Sequence, residues 1–216
     1  MAWQMAPGTG YCEIGGELVF LDLARDKYFS LKGKDRVAFE RLRAGVPNDS
    51  EAISRLIRTG LLAEGSGEAA LNPASVEIPI HDLAASDASF SLRMALASAT
   101  ALQWARRSLQ PHRLAETIKT LRISKRRIGV PATEAAAADI ASRFAASRWL
   151  MPVPPRCLVD ALALDRILLS RGLAVSLVFG VLLHPFRAHC WLQTNERVLT
   201  GSAAEARSFK PILVVE

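Results

Sequence analysis

Along the first third of the chain the apolar positions come in short bursts separated by turn residues. In "YCEIGGELVFLDLARDKYFSL" the runs Tyr11 to Ile14, Leu18 to Leu23 and Lys27 to Leu31 are apolar or alternating, and "GG" and "ARD" between them are turn signals. The pattern predicts a small antiparallel meander. The period then changes. In "KDRVAFERLRAG" Val37, Phe39 and Leu42 fall near helical spacing and Gly45 closes the run. In "NDSEAISRLIRTGLL" Asn48, Asp49 or Ser50 offers an N-cap, Ile53, Leu56 and Ile57 an apolar face, and Gly60 a stop. Two helices therefore follow the strands.

The stretch "AEGSGEAALNPAS", Ala63 to Ser75, is rich in small residues, Gly and Pro and reads as a linker, with a domain boundary near residue 75. Beyond it, Phe90 to Leu109 and Pro111 to Ser124 read as helices broken at Pro111, and Thr133 to Leu150 as an Ala-rich helix opened by "PATE". "MPVPP" blocks helix and sets up the next one at Cys157. After Gly172, "LAVSLVFGVLL", "AHCWLQ", "RVLT" and "PILVVE" are β-branched or alternating and read as strands. The expected architecture is α+β. A small winged-helix-type domain over 1–75, strands then helices, precedes a domain over 76–216 in which helices are followed by an antiparallel sheet.

Composition narrows the function. At 216 residues, half of them apolar, the chain can bury a real core. The apolar neighbourhoods Leu92 to Leu102 and Leu158 to Leu169 are interrupted by Arg93, Asp165 and Arg166, so neither reads as a membrane span. The N-terminus shows no charged head followed by an apolar run, which leads us to expect a cytoplasmic protein. Cys12, Cys157 and Cys190 form no CxxC pair, and His81, His112, His184 and His189 show no regular metal spacing, so no metal is expected. Such sparse cysteines fit a reducing compartment and raise the question of which thiol is reactive. The net charge of +6 is spread along the chain, and its densest run, "RISKRR", reads as a solvated helix end complementing the dipole. Nucleic acid is not the expected partner.

The candidate chemistry lies between Cys157 and His189. A thiol attacks as thiolate, and proteins favour thiolates at helix N-termini beside a histidine. Two prolines in "MPVPPRC" put Cys157 on the first turn of "CLVDALALDRILLSRG", a helix apolar on most sides and so expected to pack on a sheet. Strand alternation in "FRAHCWLQ" places His189 and Trp191 on one face and Cys190 on the other, making Cys190 a poor nucleophile. Spacing alone leaves open that Cys157 is a core cysteine and His189 a satisfied polar residue.

The stretches "CLVDALALDRILLSRGL", "VFGVLLHPFRAHCWLQ" and "RVLT" resemble the B proteins of lasso peptide biosynthesis, leader peptidases with a transglutaminase-like, papain-related fold. "ELVFLDLARDKYFSLKGKDRVAFERL" is similar to the PqqD-like element that binds the precursor's leader peptide in these pathways. The resemblance implies that Cys157 is the nucleophile and His189 the general base, later the acid for the leaving amine. It also implies an aspartate on the following strand that orients the imidazole, and here Gly201 stands at that position beside Thr200. Asn195, Thr200, Ser202 or Glu205 are the conceivable substitutes, whereas Asp160 reads as a structural aspartate. The implied partners are the leader segment of a precursor peptide and a cyclase of the asparagine-synthetase type. No cofactor is implied for this chain, and with no P-loop in sight any ATP dependence would reside in the cyclase.

In PqqD-like modules the leader adds as a strand to the third β-strand and drops side chains between sheet and last helix. Tyr28 and Leu31, with Ile53, Leu56 and Ile57, are the candidate pocket wall, and Arg55 and Arg58 are candidates to meet acidic leader residues. Two other classes remain in view. The absent aspartate suits a non-catalytic leader-binding scaffold for the cyclase, and the N-terminal layout suits a winged-helix DNA binder, although "NDSEAISRLIRTG" sets its two arginines beside two acids.

Overall fold

A computed structural model of the chain describes residues 2–65, 71–83, 91–110, 113–148 and 154–216. The expected meander is present as β2 (Thr9–Ile14), β3 (Glu17–Asp22) and β4 (Lys27–Ser30), antiparallel in that order, with β4 at the edge. Helices α1 (Gly33–Arg43) and α2 (Ser50–Arg58) follow. The Asp49 carboxylate caps α2 by accepting from Ala52 N at 2.5 Å. Two strands of this module were not expected. β1 (Ala2–Met5) pairs antiparallel with β5 (Leu62–Gly65), so part of the presumed linker is sheet. Further along the same stretch, Leu71 is buried and its carbonyl accepts from the Tyr11 hydroxyl at 2.5 Å. Residues 66–70 of that stretch lie outside the described residues.

Both faces of the meander are buried, and alternation sorts them. Tyr11, Leu18 and Phe20 face α1 and α2 in a core with Leu31, Phe39 and Leu56, where Tyr11 and Phe20 each meet Phe39 edge-on at 5.0 Å. Cys12, Val19 and Leu21 face the other way, into a core shared with the rest of the chain. Gly10 marks this second contact. A side chain there would run into the Ile212 carbonyl and come within 3.1 Å of the Leu213 Cβ.

The remainder is helical first: α3 (Leu92–Ser108), α4 (Arg113–Ile128), α5 (Glu134–Arg148) and α6 (Cys157–Leu169). The expected helix over 133–150 and the "MPVPP" break run into 149–153, outside the described residues. Then come β7 (Ser176–Leu182), β8 (Arg187–Gln193), β9 (Arg197–Val198), the short helix α7 (Ala203–Ala206) and β10 (Lys210–Val215). The sheet order is β10-β7-β8-β9-β6, where β6 (His81–Asp82) pairs parallel with β9, so the sheet is antiparallel except at that edge. Apolar α6 is wrapped by α3 and α5 and lies on β8, as its composition predicts.

The basic run at the end of α4 is not simply solvated. Lys125 is buried, 3.0 Å from a carboxylate oxygen of equally buried Asp165 on α6, and it donates to the Val175 and Val215 carbonyls at 2.5 and 3.2 Å. Arg122 donates to the Val214 carbonyl at 3.3 Å. These cations pin α4 to Val175, just before β7, and to the last residues of β10.

Candidate functional site

Cys157 is the first residue of α6 and the exposed thiol of the chain, since Cys12 and Cys190 are buried. Burial pushes the Cys12 thiol up to about 11, against the opposing pull of Lys210. Burial also raises Cys190 well above its ordinary value, with Cys157 and Asp165 adding to the rise and Lys125 opposing it. Neither is a competent nucleophile at neutral pH. Asp160 organises the helix start rather than the thiol. Its carboxylate accepts from the Arg156 backbone N–H at 3.2 Å and from Arg148 Nε at 2.8 Å, tying the N-cap of α6 to the end of α5.

His189 lies on β8, with Trp191 stacked on it at 5.7 Å and Phe209 tilted against it at 5.1 Å. The expected alternation holds: Cys190 and Leu192 pack toward α6, while Trp191 joins Val178, Val198, Ala203 and Phe209 on the opposite side. Gly180, paired with His189 across the ladder, leaves the room that Trp191 and Phe209 occupy. The imidazole therefore sits on the face turned away from α6, and no hydrogen bond joins it to Cys157 among the described residues. Its Nε2 is buried and has no hydrogen-bond partner among the described residues. Burial lowers the His189 pKa below its ordinary value, the nearby Glu205 carboxylate counteracts this, and Arg187 adds to it.

Among the described residues, none of the expected substitutes for an orienting carboxylate bonds to His189 Nε2. The Thr200 hydroxyl is committed to Leu192 N at 2.9 Å. Asn195 lines a cleft of about 640 Å³ near the chain's C-terminal residues, among Lys125, Glu134 and Glu216. Ser202 caps α7 by accepting from Glu205 N at 3.1 Å, and Glu205 pairs with Arg187 at 3.5 Å. The sequence named Glu205 as a conceivable partner of His189, but the short helix α7 that presents it and the neighbouring Arg187 and Phe209 were not expected.

The leader-binding candidates separate into groups. Leu31 and Leu56 are buried in the N-terminal core, Ile53 is half-buried and Ile57 is exposed. Arg55 is held by Asp35 at 3.0 Å and Glu51 at 3.1 Å, leaving exposed Arg58 as the other cation of α2. Tyr28 turns away from this core, opposite to Phe29, and packs on the α6 side against Phe186 at 5.4 Å.

Helices followed by a largely antiparallel sheet, with a thiol opening the helix that lies on it, define a transglutaminase-like class of fold. A family model described as the transglutaminase-like superfamily matches residues 96–214, over half of the chain. The chain belongs to that superfamily, the class in which its resemblance to lasso peptide B proteins placed it, and the small α+β module precedes the matched region. Searches of curated proteins and of solved structures return no match. Among the described residues no helix is long and apolar enough to cross a membrane, and no group of His, Cys, Asp and Glu is placed to hold a metal ion.

Proposed function

We propose that this chain is the B protein of a lasso peptide pathway: its N-terminal module takes up the leader segment of a precursor peptide and presents the leader–core junction at Cys157. The observation that carries this reading is the exposed thiol on the first turn of α6, in a chain whose N-terminal sheet keeps an edge at β4 and packs on the same body. An extended leader added to β4 gains main-chain hydrogen bonds there, and pockets for alternate side chains supply selectivity.

Two chemistries share this binding role. As the residues stand, the geometry supports presentation most directly: among the described residues His189 Nε2 has no partner and no bond joins His189 to Cys157, and a glycine stands where an orienting carboxylate is expected. The protein then acts as a leader-binding scaffold for the cyclase. Hydrolysis is the second reading, favoured by the exposed thiol. In it the Cys157 thiolate attacks the scissile carbonyl, backbone N–H groups opening α6 hold the oxyanion, and the imidazolium protonates the leaving amine. Water, deprotonated by the imidazole, then releases the leader as a free acid and regenerates the thiol. This requires His189 to reach the thiol on substrate binding, as catalytic hydrogen bonds often tighten only in the complex.

The deciding experiment incubates the protein with a lasso precursor peptide that carries its leader, with and without a cyclase. Leader release is followed by mass spectrometry and binding by anisotropy. Release that Cys157→Ala abolishes while affinity is kept establishes the peptidase. Binding without release establishes the scaffold, and absence of binding overturns both.

A further inference from the structure

We propose that Asp82 is a positioning residue for His189: its carboxylate holds the turn 200–203 in place, so that Gly201 closes over the imidazole Nε2. The proposal deepens the hydrolytic reading, which needs His189, and rests on that reading only for its effect on leader release. Asp82 stands on the short strand β6, paired in parallel with Val198 of β9. Its Oδ1 accepts from Ala203 N at 2.5 Å, and Arg197 Nη1 donates to its backbone carbonyl at 3.4 Å. The first N–H groups of a helix need outside acceptors, and α7 draws on two: Asp82 for Ala203 N and Ser202 for Glu205 N. At its other end the turn is fixed by the Thr200 hydroxyl, which accepts from Leu192 N on the strand that carries His189. Between these anchors lies Gly201, where a Cβ would stand 3.5 Å from Nε2 and 3.9 Å from Cε1 of His189.

The segment that delivers Asp82 also steadies the rings beside the imidazole. Val76 and Ile78 pack with Trp191 and Phe209, the two rings against His189. The Glu77 carbonyl accepts from Gln193 Nε2 at 2.7 Å, and Gln193 Oε1 accepts from Trp191 Nε1 at 2.8 Å. At its start the segment is tied to the N-terminal module, where Ala74 N donates to the Tyr11 carbonyl at 3.0 Å. Residues 71–82 therefore run from the leader-binding module to the wall of the imidazole, and Asp82 makes the last bond of that run.

The test reads the imidazole directly. The protein carrying isotope-labelled histidine is titrated by NMR, with the His189 signals assigned by their loss in His189→Gln. Asp82→Ala frees the turn and lets water reach Nε2, so the His189 pKa should rise toward the unperturbed value of about 6.5. Losing a carboxylate's charge would by itself lower that pKa, so a rise reports the opened turn. Asp82→Asn, which keeps an acceptor oxygen, should stay at the wild-type value. Ala203→Pro breaks the same bond from the donor side, at a helix position that proline tolerates, and should match Asp82→Ala. Glu205 and Arg187, the charged groups that act on the imidazole, are unchanged throughout. An unchanged or lowered pKa in Asp82→Ala, or an equal rise in Asp82→Asn, overturns the proposal. Where the wild type releases leader, Asp82→Ala should lose about ten- to a hundredfold in rate at unchanged leader affinity, and Asp82→Asn should keep the rate. Equal release by Asp82→Ala and wild type also overturns it. A wild type that releases no leader removes hydrolysis, and the titration alone then decides the role of Asp82.

Discussion

A Cβ atom built on Gly201 stands 3.5 Å from Nε2 of His189, the imidazole nitrogen that has no hydrogen-bond partner among the described residues. A carboxylate on residue 201 would reach that nitrogen, fix the tautomer and stabilise the imidazolium. Gly201 also has φ of +78°, where side chains are strained, although Asp tolerates this region better than most. Gly201→Asp should therefore lower Tm by about 2–4 °C for roughly 1 kcal/mol of strain. If the protein is hydrolytic, the same change should raise leader release by about ten- to a thousandfold. Thr200→Asp should give no gain and should lose the bond to Leu192 N. Equal rates for wild type and Gly201→Asp, with intact folding, would mean that His189 takes no part in release.

The pH dependence of stability follows from the same imidazole. Its folded pKa lies below the unfolded value of about 6.5, so between the two the unfolded chain binds the extra proton. Stability contributed by neutral His189 is thus present above about pH 6.5 and is lost as pH falls toward the folded pKa. His189→Gln, which cannot titrate, should lose less stability than the wild type between pH 7.5 and 5. Denaturant melts of both proteins across that range check it, since the two differ at position 189 alone. A pH-independent difference would place the imidazole in solvent.

Much of this was legible where a residue's surroundings come from its own neighbours in sequence. The Pro-rich approach and apolar run of α6 locate the thiol, and period-two alternation separates His189 and Trp191 from Cys190. The same alternation carries a consequence that the motif conceals: a histidine sharing a face with Trp191 points away from the helix that packs under Cys190. What was not legible depends on distant partners. β1 is only four residues long, and its partner β5 is distant in sequence, with Met5 paired to Leu62. Lys125 sits in a run of cations that reads as a solvated helix end until Asp165 from another helix is placed against it. Tyr28 fits a pocket wall by its position on β4, yet the pleat turns it toward Phe186.

The Lys125–Asp165 pair makes a separate prediction. With both side chains buried, removing one partner leaves an uncompensated charge, at a cost of about 3–5 kcal/mol. Lys125→Met and Asp165→Leu should each destabilise by that much in urea melts, with the lysine variant worse because it also frees the Val175 and Val215 carbonyls. The double variant should recover most of the loss, since no buried charge remains. A double variant as unstable as the sum of the singles would show that the pair is not coupled in solution.

The final prediction concerns residues 1–75, which the sequence presents as a self-sufficient leader-binding domain. Its sheet buries Cys12, Val19 and Leu21 against elements outside that range, and Gly10 is fitted to the Ile212 carbonyl. Cut free, the fragment would expose this face, and a domain of this size has little stability to spare. We expect the fragment to self-associate and to bind a hydrophobic dye, whereas the variant Val19→Thr/Leu21→Thr should be monomeric, keeping strand propensity while removing the apolar face. The core of Tyr11, Phe20 and Phe39 on the other side is untouched, so circular dichroism should report the same secondary structure in both. Leader binding by the monomeric variant at the full-length affinity would locate recognition wholly within β4 and α2. A monomeric, folded fragment that binds no leader would place part of the binding surface across the Tyr28–Phe186 contact.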